Sequence, residues 1–256
     1  MSGEYFLVEL HPVLSLILKQ LPESPLKVTF KRRVESFFAR TFSIEPPNFE
    51  YALAPHIWML RHAAEGGLEL TAAGYLRPAV VKEFAPQLPE MRSWIFPVTT
   101  EEHTEPVLYF HHYLRGIKLL RKYKKSLLLT KRGKECASSP ELLWRELADT
   151  LVFERNQFHA AASVVTMIYF GSEQSFDIDR QEAIDVLSAA GWAHPDRSPL
   201  ELCDLWEAID DVQTALKNVD SISPETKSHR PLNTNAQLLI REALFRTSVD
   251  ESGEWS

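Results

Sequence analysis

Apolar residues recur every three or four positions through most of this chain, the period of a helix with one buried face. Residues 11–21 and 27–40 follow it, and in the second Val34, Phe37, Phe38 and Phe42 share a face opposite Lys31, Arg32 and Arg33. A loop at Pro46-Pro47 comes next. Pro55 suits the first turn of a helix running to about Ala64, which Gly66-Gly67 ends. Past Pro140 nearly everything reads as helix, over about 140–152, 155–170, 179–190 and 199–218. Asp179 with Glu182 three residues on predicts a capped start for the third of these. Residues 220–235, rich in Ser, Pro, Thr and Asn, read as a linker. A short helix near 236–246 and a polar, disordered tail complete the pattern.

The period changes to two in a pair of places. Leu68-Glu69-Leu70-Thr71-Ala72-Ala73-Gly74 returns fifty-nine residues later as Leu127-Leu128-Leu129-Thr130-Lys131-Arg132-Gly133. Each copy reads as a short strand of alternating leucines followed by a threonine placed to cap the next helix, which suggests duplicated units. The second copy has the fuller surroundings: a helix from about Glu105 to Gly116, a strand over Lys118–Lys122, a turn at Tyr123–Lys125 and a return strand Ser126–Leu129. Leu127 and Leu129 should point inward, with Lys124 and Lys125 at the tip. The first copy has only Glu65-Gly66-Gly67 where a hairpin would lie.

Helix, hairpin and capped helix, with the stretch LLRKYKKSLLLTKRG from Leu119 to Gly133, resemble the wing region of winged-helix (winged helix-turn-helix) domains. The expected fold is therefore mainly α, with winged-helix-like units and a short β-hairpin packed on a helical bundle. Along the chain this gives an N-terminal helical segment (1–54) and a winged-helix-like region (55–150). That region divides into a degenerate first unit at 55–90 and a fuller second unit at 105–150. An acidic helical region (151–219) and a linker, short helix and tail (220–256) follow. Gly66–Leu76, Leu119–Gly133 and Pro140–Trp144 also resemble segments shared by a group of uncharacterised actinobacterial helical proteins. That likeness, over about residues 55–170, supports the fold and adds no catalytic residue.

Charge sharpens the reading. Between His112 and Lys134 stand Arg115, Lys118, Arg121, Lys122, Lys124, Lys125, Lys131, Arg132 and Lys134, with no acid among them. The rest of the chain holds 19 basic residues against 35 acidic ones, and residues 141–220 alone carry 16 acids against five bases. Nine to none within 23 residues is steeper than an ordinary solvated face and predicts a surface that meets something anionic. Two partners fit. One is nucleic acid, held by its phosphates with little base specificity through those nine residues. The other is an acidic protein surface, including the acidic region of a second copy, which would make a homodimer.

The helix ahead of the hairpin argues against base reading. Val107, Leu108, Phe110, Tyr113 and Leu114 look like core, leaving Tyr109, His111, His112 and Arg115 as readers. Trp144, on the helix beyond the hairpin, is expected to pack against the hairpin's apolar face. The two cysteines, Cys136 and Cys203, lack CxxC spacing and suit a reducing, cytoplasmic setting. The longest apolar stretch, Ala160–Phe170, is too short to span a bilayer and reads as a core helix.

Motifs for chemistry are missing. Adjacent His111-His112 point about 100° apart on a helix and do not chelate one ion easily. No HExxH, GxSxG, P-loop or dinucleotide fingerprint occurs. Asp177-Ile178-Asp179 with Glu182 lacks the glycine of a calcium loop, so capping explains it better. No enzyme activity, cofactor or metal is predicted.

Overall fold

The computed structural model describes residues 6–40, 47–152, 155–219 and 232–249. In chain order the elements are β1 (Phe6–Leu10), α1 (Pro12–Gln20), α2 (Pro25–Ala39), α3 (Phe49–Ala52), α4 (Ala54–Ala64) and β2 (Leu68–Glu69). Next come α5 (Pro78–Phe84), α6 (Glu105–Gly116), β3 (Leu120–Tyr123), β4 (Ser126–Leu129), α7 (Lys131–Ser138) and α8 (Pro140–Thr150). The last are α9 (Gln157–Glu173), α10 (Arg180–Ala189), α11 (Trp206–Lys217), α12 (Thr234–Leu244) and β5 (Phe245–Val249). The protein is mainly α with a short hairpin. No helix among the described residues is long and apolar enough to cross a membrane.

The chain divides into two compact units, each assembled from separated stretches: Met1–Phe42, Leu151–Ile209 and His229–Ser256 in one, Ser43–Thr150 and Asp210–Ser228 in the other.

The first unit is built round α9. Every residue from His159 to Gly171 is buried, because a helix apolar on all sides needs cover on all sides, and α1, α2, α10 and α12 supply it. The Phe37 ring lies so close to Gly171 that an added Cβ there would stand 2.7 Å from it. Phe30, Val34 and Phe37 form the buried face of α2, while Phe42 lies outside the described residues. Arg33 departs from expectation. Rather than facing water beside Lys31 and Arg32, it binds Glu173 at 2.9 Å and Glu182 at 2.8 Å and lies over the Tyr169 ring. Glu182 is thus taken up by Arg33, and Asp179 caps α10 alone, its Oδ1 accepting from the Gln181 and Glu182 amides.

Two strands were not expected here. β1 and β5 pair antiparallel from Phe6↔Val249 to Leu10↔Phe245, so the tail read as disordered from about 247 begins as strand. The expected linker lies mostly outside the described residues; its end holds buried Leu232 and Asn233, which caps α12.

In the second unit α4 lies against β4, α7, α5 and α3. The sheet runs β2-β4-β3, all antiparallel, with Leu68 opposite Leu127 and Leu120 opposite Leu129. The two leucine copies are neighbouring strands of this one sheet. Their threonines also part company. Thr130 caps α7 by accepting from the Gly133 amide, whereas Thr71 accepts from the Tyr75 amide and closes a turn, with α5 starting only at Pro78. Their glycines differ too. Gly74 sits at φ +96° in that turn, while Gly133 is helical and leaves room for the Leu119 carbonyl, which any Cβ would overlap. Trp144 is buried as expected, but its ring lies against Phe49 of α3, 5.5 Å between centroids, while β4 packs on α4 and α7.

His56, near the start of α4, is fully buried between Phe110 and Tyr113, with no hydrogen bond to either ring nitrogen among the described residues. Burial draws its pKa down to about 3. An unfolded histidine titrates near 6.5, so below that the unfolded chain takes up a proton that the native one refuses. The stability involved is whole above about pH 6.5 and lost as pH falls toward 3, at about 1.4 kcal/mol per pH unit. Urea unfolding at pH 7 and pH 5 should therefore show a loss of about 2 kcal/mol that His56→Leu lacks. Equal losses in both proteins would show that His56 is not buried in its neutral form.

Candidate functional site

The hairpin is anchored at its base by a helix end and a cap. α6 ends with Lys118 at φ +62°, its N–H donating to the Arg115 carbonyl and the Leu119 N–H to that of Leu114. This is a Schellman end with lysine in the left-handed position that glycine usually holds. Thr130 Oγ1 then donates to the Lys118 carbonyl at 2.6 Å, and the Thr130 N–H donates to that of Leu119 at 3.0 Å. At the far end Lys124 takes φ +53° in the two-residue turn Lys124-Lys125. Leu127 and Leu129 point inward and are buried.

All nine basic residues are exposed. Arg115 stands in the last turn of α6, Lys118 at its end, Arg121 and Lys122 on β3, Lys124 and Lys125 in the turn, and Lys131, Arg132 and Lys134 in the first turn of α7. Only Arg132, which binds Glu146 at 2.5 Å, has a carboxylate partner among the described residues. Tyr123, half exposed, lies between two of the cations, with Arg121 and Lys124 each 5.4 Å from its ring centre.

The face of α6 is a different environment. Tyr109, His112 and Arg115 are exposed, but His111 is fully buried and drops out as a reader. Its Nδ1 is hydrogen-bonded at 2.6 Å to Oε1 of Glu101, equally buried, whose Oε2 accepts from the Leu76 N–H. The phenol of Tyr109 is held above its usual pKa, first by burial and then by the carboxylates of Glu105, Asp210 and Glu90. Acidic side chains thus lie within electrostatic reach of Tyr109, Glu90 being itself paired with Lys217 at 3.0 Å, and the run of cations begins at the end of α6.

Cys136 is buried in α7, which pushes its thiol up to about 11, the range of an inert packing group. No group of three or more His, Cys, Asp or Glu side chains among the described residues is arranged to hold a metal ion.

Residues 53–142 match the model of a family described as the Y4jL N-terminal domain. The match covers about a third of the chain, from just before α4 to the first turn of α8, and takes in the whole β2-β4-β3 sheet. No curated protein and no solved structure matches the chain.

Proposed function

We propose that the sheet-bearing unit is a winged-helix-type module that holds nucleic acid by its phosphates, with little preference among base sequences. The observation that carries this reading is the unanswered charge: of nine exposed cations about the hairpin, Arg132 alone has a carboxylate partner among the described residues. The order α4, β2, α5, α6, β3, β4, with β2 beside β4, supports the winged-helix layout.

Local strain supports it further. Lys118 and Lys124 both adopt positive φ, which costs about 1 kcal/mol each relative to an unstrained backbone. Lys131, Arg132 and Lys134 crowd the positive end of α7, whose first turn carries no acid, and Glu146 answers Arg132 alone. These placements work against folding and favour a bound anion, since free helix N–H groups and cations attract phosphate together. The carboxylates round Tyr109 disfavour a phosphate backbone along α6, so affinity rests on the hairpin and α7. A reducing, cytoplasmic setting fits two free thiols, one of them exposed.

A titration of unrelated duplexes at about 50 and 200 mM salt tests the reading. Lys122→Ala/Lys124→Ala/Lys125→Ala should weaken binding to every duplex alike and lower the salt slope by up to about 3, some 0.9 per phosphate released. Docking onto an acidic protein, or onto a second copy, gives another pattern: no duplex bound at low salt, and a complex lost from size-exclusion profiles in the same variant. A variant that behaves as the parent in both assays overturns both.

A further inference from the structure

Ahead of α6 the sheet-bearing unit carries an open cavity of about 480 Å³, within the range of small-molecule sites. Its wall joins the side chains of Trp94 and Phe96 to those of Glu102, His103 and Glu105. The two rings meet edge to face, 5.4 Å apart. We propose that this cavity binds an organic cation, an ammonium or guanidinium head on a short carbon stem.

Two features point to that chemistry. The first is the aromatic pair. Phe96 is 62% exposed and its neighbour Ile95 85%, a contiguous apolar display of the kind that marks binding surfaces. Aromatic faces attract cations through the ring quadrupole. The second is charge. Neither Glu102 nor Glu105 has an ion-pair partner among the described residues, and the wall contains no lysine or arginine. Glu105 also lies in the first turn of α6, where a carboxylate is favoured by the helix itself, but Glu102 stands outside it.

Other ligands fit less well. An anion meets two carboxylates and no cation. A bare metal ion lacks the three-donor group that would hold it. An uncharged apolar molecule would shield both carboxylates from water without neutralising them. An ammonium or guanidinium head answers the carboxylates while its stem covers the rings.

The full chain, labelled with ¹⁵N at its tryptophans, provides the test. Agmatine and tetramethylammonium should each shift the Trp94 indole signal saturably, and pentanoate, of similar size and opposite charge, should not. Glu102→Gln/Glu105→Gln and Phe96→Ala alter exposed side chains and should leave the thermal melt in place while weakening agmatine at least fivefold. A blocked Gly-Arg-Gly peptide identifies the source of the head group: binding tighter than agmatine assigns a peptide side chain, weaker binding a free amine, and both uphold an organic cation. The proposal is overturned if pentanoate shifts the signal as agmatine does, if no cation saturates it by about 10 mM, or if the variants bind agmatine as the parent does.

Discussion

Replacing Glu101 with alanine is expected to remove about 3–5 kcal/mol from the stability of the sheet-bearing unit. Its carboxyl is wholly buried and both oxygens are used, one by His111 Nδ1 and one by the Leu76 N–H. His111 is itself fully buried, and its Nε2 has no hydrogen-bond partner among the described residues. Alanine would leave the imidazole with no partner on either nitrogen and the Leu76 amide without an acceptor. Buried polar groups so stranded cost about 1–3 kcal/mol each. Glutamine keeps a carbonyl oxygen for one of the two and should cost less. Two readouts check this, the urea midpoint and hydrogen exchange at the Leu76 amide, which should quicken in Glu101→Ala. A midpoint within about 0.5 kcal/mol of the parent would show that the pair contributes nothing to holding the 71–76 turn against α6.

Trp144→Ala is the second large effect, at about 3–5 kcal/mol. The indole is 3% exposed and stands with Leu143, Leu147 and Ala148 on the buried side of α8, its ring tilted 49° against Phe49. Removing it opens a cavity between α8 and the four-residue α3. A double-mutant cycle with Phe49→Ala should return a coupling of about 0.5–1.5 kcal/mol for the ring pair. An unchanged melt for Trp144→Ala would contradict the burial. A large loss with no coupling to Phe49 would place the indole's main contacts elsewhere.

The residues behind these predictions differ in how plainly the sequence displays them. Trp144 could be read as core from its place on an amphipathic helix, but its ring partner lies 95 positions earlier in a four-residue helix that carries no periodic signal. Glu101 and His111 carry no signal at all. They are ten residues apart, one in a single-turn 3₁₀ segment (Glu101–His103) and one on α6, in no metal or catalytic spacing. Arg33 shows the same gap from the other side. Its neighbours Lys31 and Arg32 face water as the pattern predicts, while Arg33 is recruited by two carboxylates about 140 and 149 residues away.

The repeated leucine segments mark the boundary most clearly. From sequence, each is a strand, a threonine and a glycine, and the local reading of the second copy holds: strand Ser126–Leu129, a tip at Lys124-Lys125, Thr130 as cap. That the first copy lies beside it in one sheet depends on a pairing over 59 residues between strands of two and four residues. The same holds for β1 and β5, which join opposite ends of the chain.

What the sequence determined by itself is whatever neighbours within about four residues decide: helix faces, caps, the hairpin turn and the run of nine cations. The fold alone decided which groups meet across long separations. It set Leu119 over Gly133, Glu101 beside His111, and Glu173 and Glu182 beside Arg33. The physical reason is that turns and caps are satisfied by groups already adjacent in the chain. Buried polar groups and strand edges must instead find partners, and many residues of the right type are available until packing brings one of them within reach.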